Sequence, residues 1–83
     1  MRTVYKYQFG LEGKVLPLPV GSKVVCVGQQ EERITVWIEQ DIEKDPYDFH
    51  FYIVPTGSDV PFGTFYVGTS FIGPFVWHIY QSI

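Results

Sequence analysis

The sequence predicts a compact all-β fold: a six- to seven-stranded antiparallel β-sandwich or small barrel with no substantial helix. Three observations carry this expectation. Apolar residues alternate with polar ones over short runs, the period of a strand. Gly, Pro or acidic clusters separate those runs at short intervals. At 46% hydrophobic, 18% aromatic and 18% charged, the 83 residues have the means to bury a core, which a disordered chain does not.

The first strand reads as Arg2 to Phe9, with Thr3, Tyr5, Tyr7 and Phe9 on one face and Val4, Lys6 and Gln8 on the other. Gly10-Leu11-Glu12-Gly13 supplies a turn, because glycine takes positive φ without a steric penalty. Val15, Leu16 and Leu18 continue as an extended segment. Pro17 and Pro19 lack the N–H of a central strand, so that segment is expected at a sheet edge.

Val20-Gly21-Ser22 turns the chain into a strand from Lys23 to Gln29, and the polar tip Gln30-Glu31-Glu32 leads to the next, Arg33 to Gln40. These two form the clearest hairpin. Asp41 to Asp48 is acidic, contains Pro46 and reads as a solvated loop. Alternation resumes in Phe49 to Pro55, Thr64 to Ser70 and Pro74 to Gln81. No linker or repeat divides residues 1–83, which read as a single domain.

Composition also excludes several function classes. No run approaches the roughly 18 apolar residues of a membrane-spanning helix, and Met1 to Tyr7 alternates instead of forming a signal-peptide core, so a cytoplasmic location is expected. A single cysteine, Cys26, rules out an internal disulfide. The net charge of −3 argues against binding long nucleic acid, which needs clustered cations. A domain this small buries only about 60% of its unfolded surface, which favours self-association as a supplement.

Catalytic and metal chemistry find little footing. Cys26, His50 and His78 fall on three different strands, without the paired spacing of a zinc site. Glu39, Asp41, Glu43, Asp45 and Asp48 lack the ordered spacing and central glycine of a calcium loop. Ser58, Ser70 and His78 offer nucleophile and base atoms, yet Gly-x-Ser-x-Gly is absent. The expectation is a protein with no catalytic residues, no metal and no cofactor.

Binding is better supported. Strands Phe49 to Val54 and Phe75 to Tyr80 are apolar on both faces, and one face of each carries Tyr and His. Such side chains bury a flat body and keep a polar edge, which suits an interface or a ligand pocket; a core with tyrosine hydroxyls at its margins explains the pattern equally well. Thr56, Gly57 and Ser58 form a turn able to cradle phosphate, Arg33 would supply charge, and Tyr66, Trp77 and His78 would stack on or hydrogen-bond a base.

The ending Gly73-Pro74-Phe75-Val76-Trp77-His78-Ile79 resembles a family of small phage-encoded proteins of unknown function. Lys6-Tyr7, Leu18-Pro19-Val20-Gly21-Ser22-Lys23-Val24, Val27-Gly28-Gln29, Trp37, Thr56-Gly57 and Gly68-Thr69 extend the resemblance over nearly the whole chain. Ser22 stands where that family has Ala, and Ser58 where His often follows the Thr-Gly pair. The resemblance implies a viral source, action in the cytoplasm of an infected bacterium and no transferable functional residues. Size and polar-aromatic character are similar to those of oligomeric anti-defence sponges, which sequester cyclic nucleotide or cyclic ADP-ribose-type immune signals. The leading expectation is therefore a non-catalytic homo-oligomer that binds a small phosphorylated nucleotide-like ligand. The alternatives are an inhibitor that binds a host protein and a small virion or assembly component.

Overall fold

A computed structural model describes residues 1–82. Among the described residues, seven strands follow one another without a helix: β1 (Arg2–Phe9), β2 (Lys14–Pro19), β3 (Lys23–Gln30), β4 (Arg33–Asp41), β5 (Pro46–Pro55), β6 (Thr64–Ile72) and β7 (Phe75–Ser82). They form two antiparallel sheets, one ordered β1-β4-β3 and the other β2-β5-β7-β6. The Cα envelope measures 39 × 29 × 16 Å, flattened as two packed layers require. The architecture is a sandwich; the barrel alternative falls because neither sheet closes.

The strand ends differ from the sequence expectation mainly around the acidic segment. Asp41 to Asp48 does not form one long loop: β4 runs on to Asp41 and β5 begins at Pro46, leaving Ile42 to Asp45 as the turn. Pro46 is tolerated because it opens its strand, where it faces Pro19 at the end of β2. Strand β2 is an edge, as its two prolines require.

Apolar residues from both sheets meet in the core, which comprises Phe9, Leu16, Leu18, Ile34, Val36, Ile38, Phe51 and Ile79. Phe9 and Phe51 join the layers with ring centroids 5.3 Å apart. The alternating positions point away from this core, so β1 buries Phe9 and exposes Val4 and Lys6. Strand β7 likewise turns Ile79 inward and leaves His78 and Tyr80 on the outer face of its sheet.

On one side the layers draw together where β3 meets β6. A Cβ on Gly68 would collide with the Val27 side chain, so only glycine permits this approach. Ser70, fully buried, donates its hydroxyl to the Gly28 carbonyl at 2.7 Å and ties β6 to β3. In the β3–β4 hairpin, Gln30 faces Arg33, and Glu31 and Glu32 take φ of 55° and 58°. Two left-handed residues match the twist of the hairpin, although neither is the Asn or Gly that adopts this conformation most readily.

Candidate functional site

The seven expected site residues divide into two groups on different surfaces. Trp77 and His78 are neighbours on β7 and therefore point to opposite faces of the four-stranded sheet. They cannot share one base as a single stacked site, and this corrects the expected arrangement.

The first group lies on the outer face. Thr69 on β6 and Val54 on β5 stand opposite His78. Tyr66, Tyr80 and Tyr52 form the adjacent row across β6, β7 and β5. The bulge between Tyr66 and Gly68 sets this alignment, since a regular ladder would set Gly68 opposite His78. Thr56 Oγ1 lies 2.8 Å from His78 Nε2, Thr69 Oγ1 lies 3.1 Å from His78 Nδ1, and Tyr66 Oη lies 2.6 Å from Thr69 Oγ1.

These contacts form an ordered chain of hydroxyls through one imidazole. With His78 neutral, one ring nitrogen donates and the other accepts, so the chain runs in one direction and presents a spare hydroxyl proton at Thr56 or at Tyr66. Tyr66, Thr56 and His78 were expected site residues; Thr69 was not. Its only signal in the sequence is the preceding glycine in a strand, a mark of a bulge.

Gly57 and Ser58 complete an ordinary exposed turn. Gly57 has φ of 93°, and the Ser58 N–H donates to the Pro55 carbonyl at 3.1 Å. That amide is therefore committed within the turn. The adjoining concavity of about 320 Å³ is lined by Thr56, Phe75, Trp77 and neighbouring proline and valine residues, with no Lys or Arg. Among the described residues, the concavity beside the turn thus supplies no cation to the expected phosphate cradle.

Arg33 and Trp77 form the second group. They line one groove of about 470 Å³ at the end of the sandwich, together with Phe9, Gly10, Leu11, Glu32, Ile34, Ile72 and Phe75. Phe75 and Trp77 stack with centroids 6.0 Å apart and an interplanar angle of 19°. Their rings also wall the smaller concavity beside Thr56, so Arg33 and Thr56 border grooves that share this aromatic pair. The left-handed hairpin tip brings Glu32 and Arg33 to the groove as an acceptor and a donor side by side. Alternation could suggest Phe75 as a companion of Trp77, but Leu11, Glu32 and Ile72 join only through the topology.

A larger concavity, about 860 Å³, lies at the other end of β7 among Tyr47, Asp48, Phe49, His50, Phe65 and their neighbours. Among the described residues, no Lys or Arg lines it. Cys26 is exposed on β3, and no cluster of three potential metal ligands occurs among the described residues. Asp41 is held below its ordinary pKa, first by the Glu43 backbone N–H and then by the Met1 ammonium; that ammonium is itself raised by Glu43 and Asp41. Both groups belong to an exposed clip that ties the start of β1 to the β4–β5 turn.

Neither the curated proteins nor the solved structures yield a match to the chain. A family model described as Domain of unknown function (DUF7352) covers residues 1–83, and the chain belongs to that family.

Proposed function

We propose that the protein is a non-catalytic binding module for a small phosphorylated, ring-bearing ligand of nucleotide type, held in the groove between Arg33 and Trp77. The observation that carries this reading is the convergence of Arg33 with the stacked Phe75–Trp77 pair, from distant segments, on one largely apolar groove. A flat base gains by contact with aromatic faces, and guanidinium pairs with phosphate through two parallel hydrogen bonds. Glu32 adds an acceptor for a ring N–H or exocyclic amine, and it offsets the positive field of Arg33, so recognition rests on direct contact more than on long-range attraction.

In its sharpest form the module is a self-associating phage anti-defence sponge in the host cytoplasm that sequesters a cyclic nucleotide or cyclic ADP-ribose-type signal intact. The resemblance to small phage proteins supports that setting. Native mass spectrometry with a panel of cyclic mono-, di- and trinucleotides and cyclic ADP-ribose isomers tests it. Stoichiometric uptake with unchanged ligand recovered on heating is the expected result. Converted ligand would make the protein an enzyme, and no uptake by folded protein would remove the nucleotide reading.

A second reading, binding of a host protein, draws on the tyrosine row. The outer face bears Tyr52, Tyr66, Tyr80 and Phe71, and aromatic residues of this kind are enriched at interface centres. Retention of a defined host protein, lost on Tyr66→Lys, would favour this reading.

A further inference from the structure

Each sheet edge exposes a row of unpaired backbone groups, and natural sheets blunt such edges with proline, bulges or covering side chains. Three of the four edges here are blunted. Strand β2 carries Pro17 and Pro19, β3 is interrupted between Val24 and Cys26, and β6 is interrupted between Tyr66 and Gly68. The last two also lie against each other through Val27 and Gly68.

Strand β1 is different. Its eight residues contain no proline, pair with β4 without a register shift, and have no described strand on their other side. Both cations of the strand bond within their own sheet. Arg2 reaches Glu39 on β4 at 3.1 Å, and Lys6 reaches across β4 to Gln30 on β3 at 2.8 Å. Val4 and Tyr5 stay about half exposed, at 47% and 49%. The Met1 clip holds the beginning of the strand in place.

We infer that β1 is the self-association edge, pairing antiparallel with β1 of a second copy about a two-fold axis at Tyr5 to join two three-stranded sheets into one of six. The strand can pair with its own copy along most of its length, and charge selects the register. A continuous sheet requires paired residues to share a face, so the axis must pass through a residue. An axis at Val4 would set Arg2 against Lys6 of the second copy, and one at Lys6 would set the two lysines against each other. At Tyr5, Arg2 faces Gln8, Thr3 faces Tyr7, Val4 faces Lys6 and the two Tyr5 rings meet, with no like charges opposed. An axis farther along β1 gives a shorter ladder. The inference goes beyond the ligand groove and does not depend on it.

Sedimentation velocity on the ligand-free protein, with charge-reporting variants, tests the edge. The wild type is expected as a dimer. Val4→Lys places two lysine pairs face to face and is expected to weaken the dimer roughly tenfold or more. It should still fold, because position 4 is exposed and faces Glu39 within its own sheet. Val25→Lys, at a similarly exposed site on β3, is expected to leave the dimer intact.

Cross-linking reads the register. In a Cys26→Ser background, Tyr5→Cys is expected to form an intermolecular disulfide readily. Val4→Cys should do so poorly, because its copies are diagonal neighbours about 7–8 Å apart. A wild type that stays monomeric, equal dissociation by Val4→Lys and Val25→Lys, or equal cross-linking at positions 4 and 5 would each overturn the inference. Failure of nucleotide uptake by an intact dimer would leave it standing.

Discussion

Thr56 Oγ1 and His78 Nε2 lie 2.8 Å apart, joined across a separation of 22 residues by the pairing of β5 with β7. The contact fixes one side of the imidazole, and Thr69 fixes the other. The ring is therefore oriented by the Thr69 hydroxyl on β6 and by the Thr56 hydroxyl in the turn that follows β5.

Thr69→Val keeps the β-branched shape and removes the hydroxyl that links His78 to Tyr66. Loss of about 1 kcal/mol is expected in urea unfolding, the net worth of such a hydrogen bond at a partly exposed site. The ¹⁵N shifts of the His78 ring should also change, because Nδ1 loses its hydroxyl partner. Unchanged shifts would mean that Thr69 does not bond the ring.

Gly68→Ala is expected to destabilise the fold by about 1–3 kcal/mol, because the new methyl meets Val27 across the β3–β6 approach. Val27→Ala relieves that collision, so the double variant should lose less than the two single losses added together. Additive losses would show that the two strands do not press on each other there.

Glu31→Asn with Glu32→Gly replaces two left-handed residues by types that adopt that region more readily. The double variant should gain about 1–2 kcal/mol in the same unfolding measurement. Its groove loses the Glu32 carboxylate, so affinity for a ring N–H donor is expected to fall as stability rises. A fall in stability would contradict the strain assigned to the hairpin tip.

The clip at Met1 should depend on pH in both directions. Asp41, with its folded pKa depressed, adds stability above its unfolded value and loses it as pH falls through the folded one. The Met1 ammonium, with its folded pKa raised, adds stability below its unfolded value and loses it as pH rises through the folded one. The clip is therefore strongest between roughly pH 4 and pH 8. Ile42 N–H donates to the Met1 carbonyl at 3.3 Å, and its hydrogen-exchange protection, corrected for intrinsic rate, should fall on either side of that window. Protection unaffected by pH would show that the ion pairs do not hold the strand end.

Alternation made the strands legible because a half-buried sheet imposes it on each segment separately. Pro17 and Pro19 disclosed an edge by the same local logic. Sheet order leaves no such trace, since it depends on which apolar faces satisfy one another across the whole chain. The candidate site shows the same division. Trp77, His78 and Arg33 were recognisable by chemistry, but the period-two geometry that revealed β7 also separates Trp77 from His78. Thr69 reached His78 through a bulge, a single-residue slip that residue types only hint at. The extension of β4 and β5 into the acidic segment went unread because its charges belong to exposed strand ends, where alternation carries no apolar signal.

The two indoles offer the most direct test of the binding groove, because Trp77 lines it and Trp37 belongs to the other sheet, opposite Lys6 and Cys26. Proton–nitrogen NMR of both indole N–H groups should be followed while the nucleotide panel is titrated into the wild type and into Arg33→Ala. A saturable shift of Trp77, with Trp37 unmoved and the response weakened in Arg33→Ala, is the predicted result. Two silent indoles, or a response as strong without Arg33 as with it, would contradict the assignment.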